Sequence, residues 1–423
     1  MRTLPILMIL FSSIGLFGGG RSLILKFESE HQFNNVSGNF HIIDHEQIPG
    51  KPVFRVEVDS TLGDDALVSE FYAIEGIISA EKNQKSHVIG ATAAAIIDAR
   101  PIMVLDARPI MVLDARPIMV LDDSERSMLA NNEFANDPLF GQSFFNQIGA
   151  YEAIGHSTGA GVTVAVLDTG VDMDHPFLAG NLSPYGHDFV DEDPIADEER
   201  TGLDSNENGQ FDEGWGHGTH IAGIIAMIAP NANILPVRVI DGDGSGDLFD
   251  ILQGLEYAVD QGAKVINMSL SIPEPSSLLT EWIYELRKKK VLVVTSAGNK
   301  GSTDLLFPSN EASTITVGSV NSFDQLSAFS NYGANLDVVA PGENVLSCHP
   351  GDGTFIERSG TSISAPMAAA QAALILEHKP NINYHALRDR IRNTSRDVDA
   401  HNSGYEGLVG KGVINLPDSL GIK

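Results

Sequence analysis

The stretch that decides the fold is VAVLDTGVD, residues 164–172. Four apolar residues, Val164 to Leu167, run without a polar interruption into Asp168, Thr169 and Gly170. An apolar run closed by a turn signal reads as a strand buried on both faces, and such strands belong to parallel sheets covered by helices. The strand itself is read as residues 162–167. Working outward, similar runs recur at 234–240, 264–270, 291–296, 315–320 and 336–339. Helical patterns lie between several of them, at 218–228, 250–261 and 281–289. In 250–261 the apolar residues Ile251, Leu252, Leu255, Ala258 and Val259 fall on one helical face. Strand and helix in alternation predict an α/β fold, a parallel sheet covered by helices on both faces. In such sheets ligands gather at the carboxyl ends of the strands, so the chemistry is to be sought just beyond them.

Three clusters sit there. Asp168 ends the first strand; GHGTHIAGIIA, residues 216–226, brings His217 into a helix; and SGTSISAPMAAA, residues 359–370, sets Ser362 at the head of another. A fourth, TSAGNKG at 295–301, puts Asn299 beyond the strand at 291–296. Taken singly, each has an ordinary reading: Asp and Asn as turn residues, His as a solvated helix start, Ser as an N-cap.

Together, in the order Asp, His, Ser, the clusters resemble the subtilisin-type serine peptidases, whose chain order is the standing example of this arrangement. The resemblance runs from about Asp137 to the C-terminus and includes the glycines Gly216, Gly218 and Gly360 around the key residues. It implies a subtilisin-like endopeptidase that cuts internal peptide bonds of proteins through an acyl-enzyme. The chemistry supports that on its own terms. A serine hydroxyl is a poor nucleophile near neutral pH, so Ser362 needs a base, and imidazole, with a free pKa near ~6.5, suits the task. His217 takes the proton and returns it to the leaving amine, while Asp168 orients the ring and stabilises the imidazolium. The resemblance further assigns Asn299 as the side-chain donor of the oxyanion hole, beside the backbone N–H of Ser362. It assigns Gly244, Ser245 and Gly246, with Ser269, Leu270 and Ser271, as two edges between which a peptide binds as an added strand. Two departures touch specificity: Ser271 stands where the family commonly has glycine, and the segment 299–308 is short, which brings Lys300 and Leu306 near the pocket wall.

Upstream, Arg2 and the apolar run from Leu4 to Phe17, followed by Gly18, Gly19, Gly20 and Ser22, read as a secretory signal over residues 1–21, hence a secreted protein. An uncleaved N-terminal anchor is the rival. Residues 22–126 read as a small α+β unit, with strands at 23–27 and 53–58 and a helical pattern at 64–78. The octapeptide DARPIMVL then occurs three times without a mismatch, at 98–105, 106–113 and 114–121. Perfect short copies point to tandem slippage, and the prolines at 101, 109 and 117 argue against a stacked solenoid. The resemblance makes 22–126 a propeptide, an intramolecular inhibitor whose last strand leads into the active site. Residues 127–136 then form a linker, processing falls between Asp122 and Asp137, and the catalytic domain covers 137–423.

Composition bounds the partners. Lys and Arg number 27 against 56 Asp and Glu, a net charge of −29, which repels nucleic acid and acidic membrane surfaces. A single cysteine, Cys348, excludes an internal disulfide and any multi-cysteine metal site. A monomer acting on protein or peptide substrates is expected, with no stable membrane association. Calcium is the one cofactor suggested. DSNENGQFDEG at 204–214 spaces Asp204, Asn206, Asn208 and Gln210 at alternate positions, with Gly209 at the turn and Asp212 or Glu213 to close the shell. Trp215 at the twelfth position departs from an EF-hand loop. The family's usual calcium loop is missing between 228 and 234, and Phe177 stands where that family often has a carboxylate. Among rivals, an aspartic peptidase needs a second DTG, and a sedolisin-like acid base does not suit an intact HGTH. An inactive binding module of the same fold is separated only by assay.

Overall fold

The computed structural model describes residues 21–29, 32–33, 42–58, 60, 62–74, 76–88 and 137–422. The expected signal up to residue 20, the three repeats and the segment 122–136 lie outside them. The chain divides into two compact units, residues 1–83 and 84–423.

In the first unit, strands β1 (Arg21–Phe27), β2 (Ile42–Gln47), β3 (Val53–Val58) and β4 (Ile77–Lys82) form an antiparallel sheet in the order β2-β3-β1-β4, with helix α1 (Asp64–Tyr72) buried through Leu67 and Phe71. Its core combines aliphatic side chains with an aromatic cluster in which Phe33 stacks on Phe54 at 4.2 Å and Phe27 meets both edge-on. The helix expected at 64–78 stops at Tyr72. Gly76, at φ 99°, turns the chain so that Ile77 begins β4, and the apolar pattern continues across that turn.

The second unit begins with β5 (Lys85–Val88) and, after the short helices α2 (Ser143–Ile148) and α3 (Ala150–Ile154), is built on β6 (Thr163–Asp168), β7 (His187–Asp188), α4 (His217–Ile228), β8 (Asn233–Arg238), β9 (Ser245–Asp247), α5 (Leu248–Asp260), β10 (Val265–Met268), β11 (Leu270–Ser271), α6 (Ser277–Lys288), β12 (Leu292–Ser296), β13 (Thr314–Val320) and β14 (Val338–Pro341). Beyond these come the hairpin β15 (Val345–His349) and β16 (Thr354–Arg358), then α7 (Thr361–His378), α8 (Tyr384–Asn393) and α9 (Leu416–Leu420). Seven strands make one parallel sheet, in the order β14-β13-β12-β10-β6-β8-β7. From β6 the chain first reaches the edge strand β7, then comes back to lay β8 between β7 and β6, and later crosses to the other side of β6 through β10. The strand order therefore reverses beside Asp168, the place where such sheets open a crevice.

Two helices lie inside the fold rather than on it. Every residue of α4 is buried, as are residues 361–376 of α7, and Ile, Ala, Gly and Ser all around them suit close packing on several sides. Cys348 is fully buried in the same core. Arg238, at the end of β8, is also fully buried, with ion pairs of 2.5 Å to Asp188 and Asp191 that offset its removal from water. Among the described residues no helix is long and apolar enough to cross a membrane.

Candidate active site

Asp168 closes β6 at the centre of the sheet and is 1% exposed. Its main-chain oxygen accepts from Val239 and Ile240, so the residue is held on both backbone and side chain. His217 is the first residue of α4, and its Nδ1 lies 2.6 Å from Asp168 Oδ1. A carboxylate only accepts, so Nδ1 carries the proton and Nε2 holds the lone pair. That Nε2 is buried without a hydrogen-bond partner. The glycines explain how the ring reaches its place. A Cβ on Gly218 would come within 2.0 Å of the Gly170 carbonyl and 3.2 Å of the Asp168 Cβ, and one on Gly216, at φ 84°, within 2.3 Å of His349 Nδ1. Only glycine allows the helix start to sit this close to the strand end.

Ser362 lies in the first turn of α7, where backbone N–H groups have no partner within the helix. Asn299 follows β12. Its Oδ1 accepts from Thr361 N at 2.8 Å and Thr361 Oγ1 at 2.9 Å, which fixes the amide plane and leaves Nδ2 buried and unpaired. Both groups face one point: a Cβ placed on Gly360 would lie 3.1 Å from Ser362 Oγ and 3.3 Å from Asn299 Nδ2. Ser362 Oγ and Asn299 Nδ2 thus border one corner beside Gly360, and His217 Nε2 is a further buried atom without a partner. His217 Nε2 makes no hydrogen bond to Ser362. Pro366 adds a detail. Lacking an N–H, it cannot bond the Ser362 carbonyl four residues earlier, and the hydroxyl of Ser269 donates to that carbonyl instead, at 3.3 Å.

One residue escaped the reading of the sequence. Glu198, 8% exposed, accepts at Oε1 from Thr169 Oγ1 (2.5 Å) and Gly216 N (2.5 Å), and at Oε2 from Thr219 N (3.0 Å) and Thr219 Oγ1. It therefore ties the residue after Asp168 to the residues either side of His217. Burial pushes its carboxyl up to about 7 against the pull of the two threonine hydroxyls. The only hint in the sequence is the threonine in DTG and in HGTH, since nothing marks one glutamate within DEDPIADEE.

The two expected substrate edges form a small sheet with β5 between them, in the order β11-β5-β9, all antiparallel. His87 pairs with Ser245 on one side and with Ser271 on the other, Ser86 with Gly246, and Val88 with Leu270. Gly246 packs so closely that a Cβ would meet the Val239 carbonyl at 2.1 Å and Ser86 Oγ at 2.9 Å. Gly244, at φ 82°, turns the chain into this edge. Leu306 lies against Gly298, its Cδ1 3.2 Å from the place of a Cβ there, while the Lys300 N–H donates to Asn331.

The acidic loop folds on itself. Asp204 accepts from Asn208 N and Gly209 N, and Asn206 and Asn208 turn their amide NH2 groups toward Glu213, while Asn208 Oδ1 accepts from the Gln210 N–H. Asp212 points elsewhere, accepting from Thr201 N and Gly202 N. Asp243, outside the expected set, takes its place: it is fully buried, Oδ2 accepts from Asn206 N, and Oδ1 has no partner. Among the described residues no three His, Cys, Asp or Glu side chains converge closely enough to hold a metal ion.

Residues 159–412 match the Subtilase family, peptidase S8. An alkaline protease of Alkalihalobacillus alcalophilus is 37% identical over 267 residues, 61% of this chain and 64% of that relative. This chain thus spans just under two thirds of that protein, whereas the same 37% identity covers 90% of Subtilisin BL from Lederbergia lenta. Of solved structures, a protease from Pseudoalteromonas arctica is 29% identical at a TM-score of 0.61, covering 67% of this chain and 98% of its own. Fervidolysin from Fervidobacterium pennivorans shares the fold at a TM-score of 0.72 over 95% of this chain and 61% of its own, with 23% identity. The chain belongs to the subtilase family.

Proposed function

We propose that the protein is a secreted serine endopeptidase, made as a precursor and processed by its own site. The observation that carries the proposal is the pairing of two buried, unpartnered groups, His217 Nε2 and Asn299 Nδ2, with Ser362 Oγ close to the second. In the proposed reaction Ser362 Oγ attacks the scissile carbonyl while His217 Nε2 takes its proton. Asp168 holds the imidazolium through Nδ1. Asn299 Nδ2 and the Ser362 N–H receive the charge that develops on the carbonyl oxygen. His217 then protonates the leaving amine, and water, activated by the same nitrogen, releases the acyl group. Substrate reaches this corner as a strand between β9 and β11, where main-chain hydrogen bonds supply affinity. The signal-like residues 1–21 support export. Full-length protein and its Ser362→Ala variant should be compared for casein hydrolysis. Activity in the first and none in the second is expected, and an inert wild type favours a binding module of the same fold.

A structural calcium ion at 204–213 is a separate proposal. The orphaned, buried Asp243 Oδ1 is the feature that suits a hard cation, together with Asn206 and Asn208 once their amides turn. Burial raises both the Glu213 and the Asp243 carboxyls, and neighbouring negative charges add to it, a cost that a bound cation would relieve. Asp243 directly precedes Gly244, so the ion would brace the substrate edge. Calcium added after EDTA treatment should raise the melting temperature of the Ser362→Ala protein. Asp243→Asn should remove most of that rise, and an undiminished response places the ion elsewhere.

A further inference from the structure

His217 and Ser362 come from parts of the chain far apart in sequence, and one side chain joins the segments that carry them. Arg358 ends β16, on the stretch that runs into Gly360 and Ser362, and its Nη2 donates to the carbonyl oxygen of Trp215, 2.8 Å away, in the turn that enters His217. That turn is fixed at its N–H groups as well: Trp215 N donates to Asp212 O, Gly216 N to Glu198 Oε1 and His217 N to Gly214 O. The Trp215 ring meets the Arg200 guanidinium at 3.8 Å and, edge to face, the His349 ring at 4.6 Å. Across the hairpin Arg358 pairs with Val345, whose carbonyl oxygen lies 3.1 Å from His220 Nε2.

The charge matters as much as the bond. Arg358 Nε is buried without a hydrogen-bond partner, and burial draws the group below its ordinary value while Glu198 and Asp168 pull it back. An arginine keeps its proton even so. Its field reaches two rings nearby: burial first, then the charge of Arg358, push His220 well below the ordinary histidine value and His349 down to about 4. Burial lowers His175, a further neighbour of His349, in the same direction. With these rings neutral near pH 7, the charged groups are Arg358 and the exposed Arg200, against Asp168, Glu198 and, beside His175, Asp172. A cation shut away from water acts strongly on its neighbours, and beside an imidazole it opposes the second ring proton.

Resting on the peptidase reading above, we propose that Arg358 is a positioning residue with two effects: it clasps the turn of His217 to the strand of Ser362, and its positive charge opposes the proton that would silence His217 Nε2, so that activity extends to lower pH.

The test is the pH dependence of kcat/KM on one peptide substrate, for the full chain and for Arg358→Lys, Arg358→Gln and Arg358→Met, each first shown to be folded by its melting curve. Lysine keeps the charge, glutamine drops it but keeps an amide donor for Trp215, and methionine drops both. The acid limb should stay at the parent's pH in Arg358→Lys and move up by roughly one pH unit in both neutral variants. Arg358→Met should also lose about 10-fold in kcat at the plateau, with KM little changed, as the turn loosens. Glu198 titrates near the same limb, so the series is repeated with Glu198→Gln, and the shift should persist. Neutral variants that keep the parent's limb overturn the proposal, as does a lysine variant that shifts with them. A protein that folds with lysine but with neither neutral residue overturns it too, since the charge then serves the fold and not the reaction. A folded wild type that is inert overturns the peptidase reading itself, and this inference with it.

Discussion

Replacing Glu198 by glutamine tests how the strand end and the helix start are joined. The two carboxylate oxygens take four hydrogen bonds, Oε1 from Thr169 Oγ1 and Gly216 N, Oε2 from Thr219 N and Oγ1. Glutamine keeps the shape, but either rotamer sets an NH2 group against a backbone N–H, that of Gly216 or that of Thr219. A buried donor left without its acceptor costs about 1–3 kcal/mol. The pH dependence gives the sharper measurement. Burial raises the carboxyl from 4.5 to about 7, with the charge of Asp168 adding to it. Because the folded value is the higher one, the native chain keeps a proton that the unfolded chain has already lost. The contribution of this group is thus full below about pH 4.5 and is lost as pH rises to about 7, roughly 3 kcal/mol in all. Glutamine does not titrate. The stability gap between parent and Glu198→Gln should therefore be widest below about pH 4.5 and should narrow toward about pH 8. Urea unfolding at several pH values, with Ser362→Ala in both proteins to prevent self-digestion, measures it directly. A gap that widens with pH would refute the reasoning, since it would mean that four donors and the nearby Arg358 outweigh burial and hold the group ionised.

Asn299→Leu should leave KM nearly unchanged and lower kcat about 10²–10³-fold, the loss known from subtilisin itself for this donor and not a value worked out for this chain. Steady-state kinetics on a peptide substrate decide it, and an equal fall in kcat and 1/KM would indicate general distortion. Gly218→Ala brings a Cβ to 2.0 Å from the Gly170 carbonyl, so α4 must move away from β6. Overpacking of this kind costs about 1–3 kcal/mol in stability, and a His217 displaced by an ångström should cost about 10²-fold in kcat/KM. A variant that melts and cleaves as the parent does would show that the helix start has room to spare.

Six of the seven parallel strands were legible because each carries an apolar stretch that burial on both faces explains, whereas the two-residue edge strand His187–Asp188 has none and was missed. Val265–Met268 and Leu292–Ser296 fall within the stretches read from sequence, shifted only at their ends. The places of Asp168 at a strand end, of His217 and Ser362 at helix starts and of Asn299 beyond a strand were legible through their neighbours, chiefly the glycines, which the close approach of backbone demands. Lys85–Val88 was not. KSHV has neither alternation nor an apolar run, and it is a strand only because β9 and β11 offer main-chain partners on both sides. Glu198 was hidden for a related reason. Its partners lie 18 to 29 residues away, and an acid in an acidic loop looks solvated until the fold closes over it.

His217 and Ser362 each stand at the start of a helix enclosed by the rest of the unit. Amide protons along α4 and α7 should therefore exchange only through global opening, while exposed segments such as Leu203 and Phe211 open locally at little cost. On the proposed peptidase reading this separation matters. On that reading neighbouring copies nick the surface long before the interior loosens, and lifetime at high temperature should follow the rate at which the interior as a whole comes apart rather than any softening of the site.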